Sequence, residues 1–174
     1  MSIHIIIDGY NLIRQSSQLS SIEALDIAAG RDALVDSLAA YKRVKPHRIT
    51  VVFDGTNAPI TVCNRDRFKG IDIRFSRNGE LADTVIKRMV DREKHRAMVV
   101  TNDREVLDYA EHKGAATINS SEFEDKMTMA RFYDLKGGDP ESETREWLPT
   151  TKKKGPARKL SKRKRRGKAR LDKL

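Results

Sequence analysis

Acidic residues occur repeatedly just after apolar segments that are typical of β-strands. Asp8, Asp54 and Asp103 each follow, at once or shortly after, a run rich in Ile, Val, Met or Phe. In an open parallel α/β sheet the carboxyl ends of the strands meet at one edge, and ligands bind in the crevice there. We therefore expect these carboxylates to come together in one pocket.

Such a pocket predicts a bound cation, because like charges held close together repel unless a cation compensates them. Hard oxygen ligands of this kind suit Mg²⁺ or Mn²⁺. Glu80 and Asp83 lie three residues apart at the start of a predicted helix, so they share one helix face and add to the group. Divalent ions held by carboxylates can activate a water, neutralise a reacting phosphate and stabilise the leaving oxygen. The pattern therefore predicts a metal-dependent phosphodiesterase.

Each of these acids also has a purely structural interpretation. Asp-Gly pairs are common in turns, and both Asp8 and Asp54 precede a glycine. Acids in the first turn of a helix interact favourably with the helix dipole, which is enough to explain Glu80. It explains Asp83 less well, because Asp83 lies beside the apolar stripe of its helix. Asp103 fits the start of a further helix. The residues alone leave both interpretations open.

The elements that would position these acids alternate along the first 135 residues or so. Short apolar runs predict strands at 3–7, 48–53, 71–75, 97–101 and 115–119. Amphipathic periodicity predicts helices at 20–42, 80–95, 103–113 and 121–135, the first and last of which begin with capping-box spacing. Residues 55–70 are predicted to be irregular. The alternation indicates a three-layer α/β/α domain with a central, mainly parallel sheet.

Positive charge is concentrated at the end of the chain. The 174 residues contain 35 Lys or Arg and 25 Asp or Glu, and residues 150–174 hold thirteen of the basic residues and a single acid. That leaves 22 basic and 24 acidic residues in 1–149. Such a tail cannot bury enough apolar surface to fold alone. We expect a domain at 1–136 followed by a linker and a disordered basic tail at 137–174.

Two basic clusters are candidates for RNA binding. The tail would act as an electrostatic arm for RNA phosphates, although a nuclear localisation signal or a solubilising charge run also fits its composition. A second cluster would line the substrate groove, unless it is ordinary surface charge, and it consists of Arg65, Arg67, Lys69, Arg74 and Arg77. The candidate residues are Arg65, Arg67, Lys69, Lys162, Arg163, Lys164, Arg165 and Arg166.

Several classes of protein are excluded or disfavoured. Cys63 is the single cysteine, so an intrachain disulfide or a thiolate zinc site lacks partners. We expect no secretory signal and no membrane-spanning segment, which favours a cytoplasmic protein. No histidine follows a predicted strand, so a His-pair ribonuclease or a serine-type triad lacks its base. Tyr10 stands where a haloacid-dehalogenase-like phosphatase has its second acid, and no P-loop or dinucleotide motif occurs.

Four separated motifs together resemble the YacP-like branch of the NYN-domain proteins. They are DGYN at 8–11, VVFDG at 51–55, NGELADTVI at 78–86 and VVTNDREV at 99–106. The resemblance covers residues 3–131, and it places the chain in the wider PIN-like nuclease group. It implies a PIN-like fold and a Mg²⁺- or Mn²⁺-dependent endoribonuclease. Members of the YacP-like branch are similar to endoribonucleases that act on translated mRNA at the ribosome.

Carried over position by position, the resemblance implies a specific site. Asp8 and Asp103 would ligate the metal directly, and Asp54 and Asp83 would hold a second ion or orient the hydrated first one. Asn11 and Thr101 would position water or phosphate. Cleavage by an activated water would leave 5′-phosphate and 3′-hydroxyl ends. The full implied set is Asp8, Asn11, Asp54, Asp83 and Asp103, with Glu80 and Thr101 in support.

Two other functions compete with this prediction. In a non-catalytic RNA- or ribosome-binding protein the acids would serve only caps and turns. In a nuclease acting on DNA, including 5′-flap cleavage, the same metal chemistry would operate, since nothing in the sequence reads the 2′-hydroxyl. As partners we expect RNA and, as a candidate, the ribosome, with no membrane association and a monomer or weak dimer in solution.

Overall fold

The computed structural model describes residues 3–55, 65–77, 79–136 and 162–174, without the side chains of 134–136 and 162–166. In this part of the chain, strands pair into one sheet whose members are β1 His4–Asp8, β2 Arg48–Phe53, β3 Arg65–Phe68, β4 Ile71–Phe75, β5 Ala97–Val100 and β6 Ala116–Ile118. Their order is β3-β4-β2-β1-β5-β6. All neighbouring pairs are parallel except β3–β4. The sheet therefore has its carboxyl edge on one side for every strand but β3.

Helices pack on both faces of the sheet. Ile5 and Ile7 contribute to one core, with Leu34 and Phe123 from the helices, whereas Ile6 belongs to a second core on the opposite face. A central parallel strand buried on both faces explains this continuous apolar run. The predicted three-layer α/β/α architecture is confirmed. The helices are α1 Gly9–Gln15, α2 Ser17–Leu25, α3 Ile27–Val44, α4 Ala82–Glu93, α5 Arg104–His112, α6 Ser120–Lys136 and α7 Lys162–Leu171, with a 3-10 turn at Lys94–Arg96.

The segment between β1 and β2 differs from the single helix predicted at 20–42. It contains α1, α2 and α3, and α1 begins directly after β1. The side chain of Ser16 caps α2 by accepting from the amide of Leu19 at 3.3 Å, and Asp26 caps α3 through the amide of Ala28 at 2.8 Å. The capping box predicted at Ser20 was wrong because Ser20 lies inside α2.

Residues 65–68, predicted to be irregular, form the edge strand β3. All four of its residues are exposed, so it has no apolar alternation to reveal it in the sequence. Its antiparallel pairing with β4 supplies the strand geometry instead. The connecting turn uses Lys69 at φ 50° and Gly70 at φ 79°, the left-handed conformation that two-residue hairpins require. Residues 56–64 lie outside the described part of the chain.

The end of the basic tail is helical and packed, where the sequence led us to expect disorder. Leu174 is buried in the core on the α3 side, and its carbonyl accepts a hydrogen bond of 2.9 Å from the hydroxyl of Tyr41. Leu171 packs against the same core. These two leucines give the charged segment an apolar anchor that its composition conceals. Residues 137–161 lie outside the described part, so the domain boundary at 136 stays a prediction.

None of the helices in the described residues is long and apolar enough to cross a membrane.

Candidate active site

A cleft of about 500 Å³ opens at the carboxyl edge of the sheet. Three carboxylates from separate elements line it, namely Asp8 at the end of β1, Asp54 just after β2, and Asp83 in the first turn of α4. The structure thus brings together three of the acids that the sequence singled out. The other lining residues are Tyr10, Asn11, Arg14, Gln15, Leu81, Ala82 and Asn102.

Asp8 is held by two hydrogen bonds, and burial strongly shifts its pKa. Its Oδ1 accepts from the backbone amide of Asn11 at 3.2 Å, which caps α1, and its Oδ2 accepts from the hydroxyl of Thr101 at 3.2 Å. Burial, with a smaller contribution from the carboxylates of Asp83 and Asp103, raises the pKa of Asp8 to about 6, although the two hydrogen bonds lower it. The capping interpretation of Asp8 is therefore correct, but it accounts for only one of its oxygens.

Asp83 shares this electrostatic environment. Burial raises its pKa, the carboxylates of Asp103, Glu105 and Asp54 raise it further, and the ammonium of Lys87 opposes the shift. Like charges shift the pKa of a carboxyl group at short range, so Asp83 lies near these acids.

Close packing explains why a glycine follows both Asp8 and Asp54. A side chain on Gly9 would overlap the ring of Phe53, whose nearest carbon lies 2.3 Å from the position of the added Cβ. A side chain on Gly55 would lie 2.0 Å from the carbonyl oxygen of Ser76. Both glycines are therefore required by close approach rather than by turn chemistry.

Asn11 holds three parts of the site together. Its Oδ1 accepts from the backbone amide of Asn102 at 3.0 Å and from the hydroxyl of Ser120 at 2.7 Å. The carbonyl oxygen of the Asn102 side chain accepts from the amide of Ser120 at 3.0 Å. With its carbonyl oxygen occupied by two donors, Asn11 has its NH₂ group left for a ligand in the cleft. This geometry suits a positioning residue or a donor to phosphate rather than a metal ligand.

Asp103 begins α5 and serves mainly as its cap. Its Oδ1 accepts from the amides of Glu105 at 2.7 Å and Val106 at 3.3 Å. Its own amide donates to the hydroxyl of Thr101 at 3.1 Å, which links it to Asp8. Asp103 does not line the cleft. It acts on the other acids through its charge and through Thr101.

The carboxylate of Glu80 contacts neighbouring arginine residues rather than the cleft. The predicted start of the helix at residue 80 was two residues early, because α4 begins at Ala82. The carboxylate of Glu80 accepts from the backbone amide of Arg77 and forms an ion pair with Arg88. Glu80 is not one of the lining residues of the cleft.

The sequence of this chain matches a known protein family over most of its length. The family model for the YacP-like NYN domain matches residues 5–170. The chain belongs to the YacP-like NYN-domain family. NYN domains are nuclease-like, and the match extends past the motifs at 3–131 into α7.

Individual relatives of this YacP-like chain are distant. It is 27% identical over 85 residues to the uncharacterized protein YacP of Bacillus subtilis (strain 168), a match that covers 49% of each chain. It is also similar to the crystal structure of Rae1 (YacP) from Bacillus subtilis, with a TM-score of 0.66, 22% identity and 79% of each chain covered. A tryptophan-to-leucine mutant of that protein gives a TM-score of 0.64 at 22% identity, with 84% of this chain and 86% of that chain covered. These structural matches support the fold.

The basic residues predicted to bind RNA do not form one group in this YacP-like chain. Arg65 and Arg67 lie on the exposed edge strand β3. Lys69, at the β3–β4 turn, is paired with Asp36 of α3 at 2.7 Å and so does not join them. The side chains predicted for RNA binding in the tail, Lys162 to Arg166, lie outside the described part.

Sequence reasoning missed several lining residues of the cleft. Asn102 lies within the VVTNDREV motif that carried the family resemblance, so its neighbours gave a signal for it. Arg14, Gln15 and Leu81 gave none, because nothing in their spacing distinguishes them from surface residues of α1 and the α4 N-terminus. Leu81 is 63% exposed at the lip of the cleft.

The residues of this YacP-like site fit a hydrated divalent ion. Among the described residues no three His, Cys, Asp or Glu side chains form a ready-made metal cage. Mg²⁺ does not need one, because it keeps several waters and binds through one or two carboxylates together with substrate phosphate. Asp8, Asp54 and Asp83 offer carboxylates around a cleft wide enough for such an ion. Burial and, to a smaller extent, repulsion between carboxylates raise the pKa of Asp8 and of Asp83, and a bound cation would favour the charged form of both side chains.

Proposed function

We propose that this protein is a Mg²⁺- or Mn²⁺-dependent endoribonuclease whose catalytic cleft is bordered by Asp8, Asp54 and Asp83. The observation that carries the proposal is the convergence of these three carboxylates, from β1, the β2 end and α4, on a cleft of about 500 Å³. Membership of a nuclease-like family supports the same chemistry. The finer features, namely the metal, the RNA substrate and an action on ribosome-associated mRNA, are parts of this proposal.

In this mechanism the side chains hold the reacting groups rather than react covalently. A bound divalent ion would supply charge neutralisation at the phosphate and an acidified water. Asp8, fixed by Thr101 and the amide of Asn11, would hold the ion in one orientation. Asp54 and Asp83 would hold it, or a second ion, from the other walls of the cleft.

Two further groups would receive the substrate. The NH₂ of Asn11 is left for the cleft by the hydrogen bonds at its carbonyl oxygen, so it can donate to a phosphate oxygen. The guanidinium of Arg14 lies in the same lining and suits a phosphate contact. Both interactions would orient the phosphodiester before cleavage.

Cleavage of a labelled RNA by the purified protein, with and without Mn²⁺, tests this function. Asp8→Asn keeps the size of the side chain and removes its charge, and it should abolish metal-dependent cleavage while RNA binding persists. Asp91→Asn is the matched control, because Asp91 lies outside the cleft and pairs with Lys113. Circular dichroism of each variant checks that it folds. Cleavage by Asp8→Asn at the wild-type rate would refute the proposed site.

A non-catalytic RNA-binding protein is the second candidate, and a specific observation favours it. Asp8 and Asp103 both cap helices, which is a structural use for each acid that requires no catalysis. In that case the wild-type protein would bind RNA in a salt-dependent way without cutting it. Repeating the assay with ribosome-bound mRNA separates this outcome from a nuclease that requires the ribosome, and a matched DNA substrate tests the choice of nucleic acid.

A further inference from the structure

Arginines are concentrated on one face of the β3–β4 edge of the sheet. In the antiparallel β3–β4 pair, Arg65 lies opposite Arg74 and Arg67 lies opposite Asp72. Residues directly opposite each other share a face of the sheet. Arg74 in turn lies beside Val52 of β2, which belongs to the core under α4 and α5. These arginines therefore lie on the α4 side of the sheet, where β3 is exposed to solvent.

Two more arginines extend this group, which we call the arginine face: Arg48, Arg65, Arg67, Arg74 and Arg92. Arg48 begins β2, and its Nε lies 3.3 Å from Asp72 Oδ2, while Arg67 Nε lies 3.6 Å from Asp72 Oδ1. Arg92 lies at the end of α4 and acts on Arg74 through its charge. Burial lowers the pKa of Arg74, and repulsion from Arg65, Arg92 and Arg48 lowers it further.

The charges of the arginine face are not balanced within the described part of the chain. Within the described residues, Asp72 pairs with Arg48 and Arg67, and Glu93 pairs with Arg48 and also with Arg96. Arg65, Arg74 and Arg92 form no ion pair with a described residue. Holding like charges together costs free energy in the unbound protein. A polyanion would relieve this cost, and guanidinium groups bind phosphate with two parallel hydrogen bonds.

The position of the face relates it to the cleft. Arg74 pairs with Val52, which precedes Asp54 by two residues, or about 7 Å along a strand. Arg48 precedes Asp54 by six residues, or about 20 Å. The face thus begins beside the carboxylate cleft and continues toward the opposite edge of the sheet.

From this arrangement we propose that the arginine face binds the sugar-phosphate backbone of the substrate RNA on one side of the bond that is cut. The inference rests on the proposed function for the identity of the substrate. Arg65, Arg67 and Arg74 are the phosphate contacts nearest the cleft. Contacts of this kind give affinity without base selection, so the face fixes the path of the strand and not its sequence.

Binding of fluorescein-labelled single-stranded RNA, followed by anisotropy in EDTA over a series of NaCl concentrations, tests the face. We expect Arg74→Gln and Arg65→Gln each to weaken binding about fivefold at low salt. Each should reduce the slope of log K against log salt by about one. Arg131→Gln removes the same charge from α6, on the other side of the sheet, and should change neither quantity. Arg65 lies on an exposed edge strand, so its variant remains informative if Arg74→Gln fails to fold.

Two results would overturn the inference. One is wild-type affinity and salt slope in both arginine variants. The other is unchanged RNA binding with loss of binding to a poly-glutamate peptide, which would assign the face to an acidic protein. Cleavage with Mn²⁺ separates this inference from the proposed function. If the wild type cuts RNA and both variants keep the wild-type kcat/KM, RNA binding by the arginine face is refuted and the nuclease function is not. If the wild type binds RNA without cutting it, and both variants bind more weakly, the nuclease function is refuted and RNA binding by the face is not.

Discussion

The hydroxyl of Thr101 donates a hydrogen bond of 3.2 Å to Oδ2 of Asp8, which joins the ends of two neighbouring strands. The β1–β5 register places Ile7 beside Val100, so Asp8 and Thr101 follow at the same level. The same hydroxyl accepts the amide of Asp103 at 3.1 Å. A fully buried threonine thus couples the central carboxylate of the cleft to the cap of α5.

Replacing Thr101 by valine should loosen this connection. Valine has nearly the same shape but no hydroxyl, so Asp8 loses one donor and the amide of Asp103 loses its acceptor. We expect a loss of about 1–3 kcal/mol in the free energy of unfolding and a further rise in the pKa of Asp8. Urea unfolding and an NMR titration of the metal-free protein measure the two effects. Thr101→Ser keeps the hydroxyl and should resemble the wild type, so identical behaviour of the serine and valine variants would contradict the assignment.

Replacing Asp83 by asparagine should stabilise the metal-free protein and impair cleavage. Because burial and the Asp103 carboxylate raise the pKa of Asp83, its charged form is unfavourable in the folded state at neutral pH. Asparagine removes that charge, so the melting temperature in EDTA at neutral pH should rise. Cleavage with Mn²⁺ should fall by about 100-fold, as expected when a residue that supports a metal is removed.

The control for Asp83 is Asp91, whose pKa is shifted in the opposite direction. Hydrogen bonds from Lys113 and Tyr109 lower the pKa of Asp91, so its charge stabilises the folded protein. Asp91→Asn should therefore lower the melting temperature and leave cleavage unchanged. A lower melting temperature for Asp83→Asn, together with intact cleavage, would show that Asp83 is a structural acid.

The fold was predictable from sequence where burial alone determines the pattern. β2 and β4 have the predicted bounds, since β2 packs into the cores on both faces of the sheet and the apolar residues of β4 pack into the core on the α3 side. β3 was not predictable, because its four exposed residues owe their conformation to pairing with β4. The packed end of the tail was missed because Leu171 and Leu174 are few among many charges, and only the core they contact explains their burial.

The sequence was enough to predict which acids meet at the site, but not which hydrogen bonds the site residues form. Acids after parallel strands share an edge by topology, which placed Asp8 and Asp54 beside one cleft. The role of Asn11 depends on Ser120, which is 109 residues away along the chain. The ion pair of Glu80 with Arg88 likewise depends on side-chain orientations. Neither spacing nor residue type fixes such contacts.

The buried His4 should make stability depend on pH. Its Nε2 lies 2.8 Å from Thr50 Oγ1 and its Nδ1 lies 3.3 Å from Glu93 Oε1. Burial lowers the pKa of His4, and Arg48 adds to this, although Glu93 opposes it. The folded state therefore prefers the neutral ring, and the unfolded chain binds the proton more tightly. The contribution of His4 is complete above a pH of about 6.5 and is lost as the pH falls below that value.

Comparison of the wild type with His4→Gln isolates this effect. Asp8 acts in the opposite direction, because its pKa is raised to about 6 and its contribution is lost as the pH rises through that value. The difference between the two proteins removes the Asp8 contribution. Urea unfolding in EDTA from pH 8 to pH 5 should show the wild type losing up to about 1.4 kcal/mol per pH unit relative to the variant. A constant difference across that range would mean that His4 does not titrate differently in the folded protein.

Leu174→Ala tests whether the basic tail is anchored to the domain. Leu174 is 6% exposed and lies in the core on the α3 side, so its truncation should lower the free energy of unfolding by about 2 kcal/mol. Lys168→Ala, at an exposed position of the same helix, should stay within about 0.5 kcal/mol of the wild type. Urea unfolding compares the three proteins. Equal unfolding midpoints for all of them would mean that the tail contributes nothing to folding, and that α7 carries its charges free of the domain.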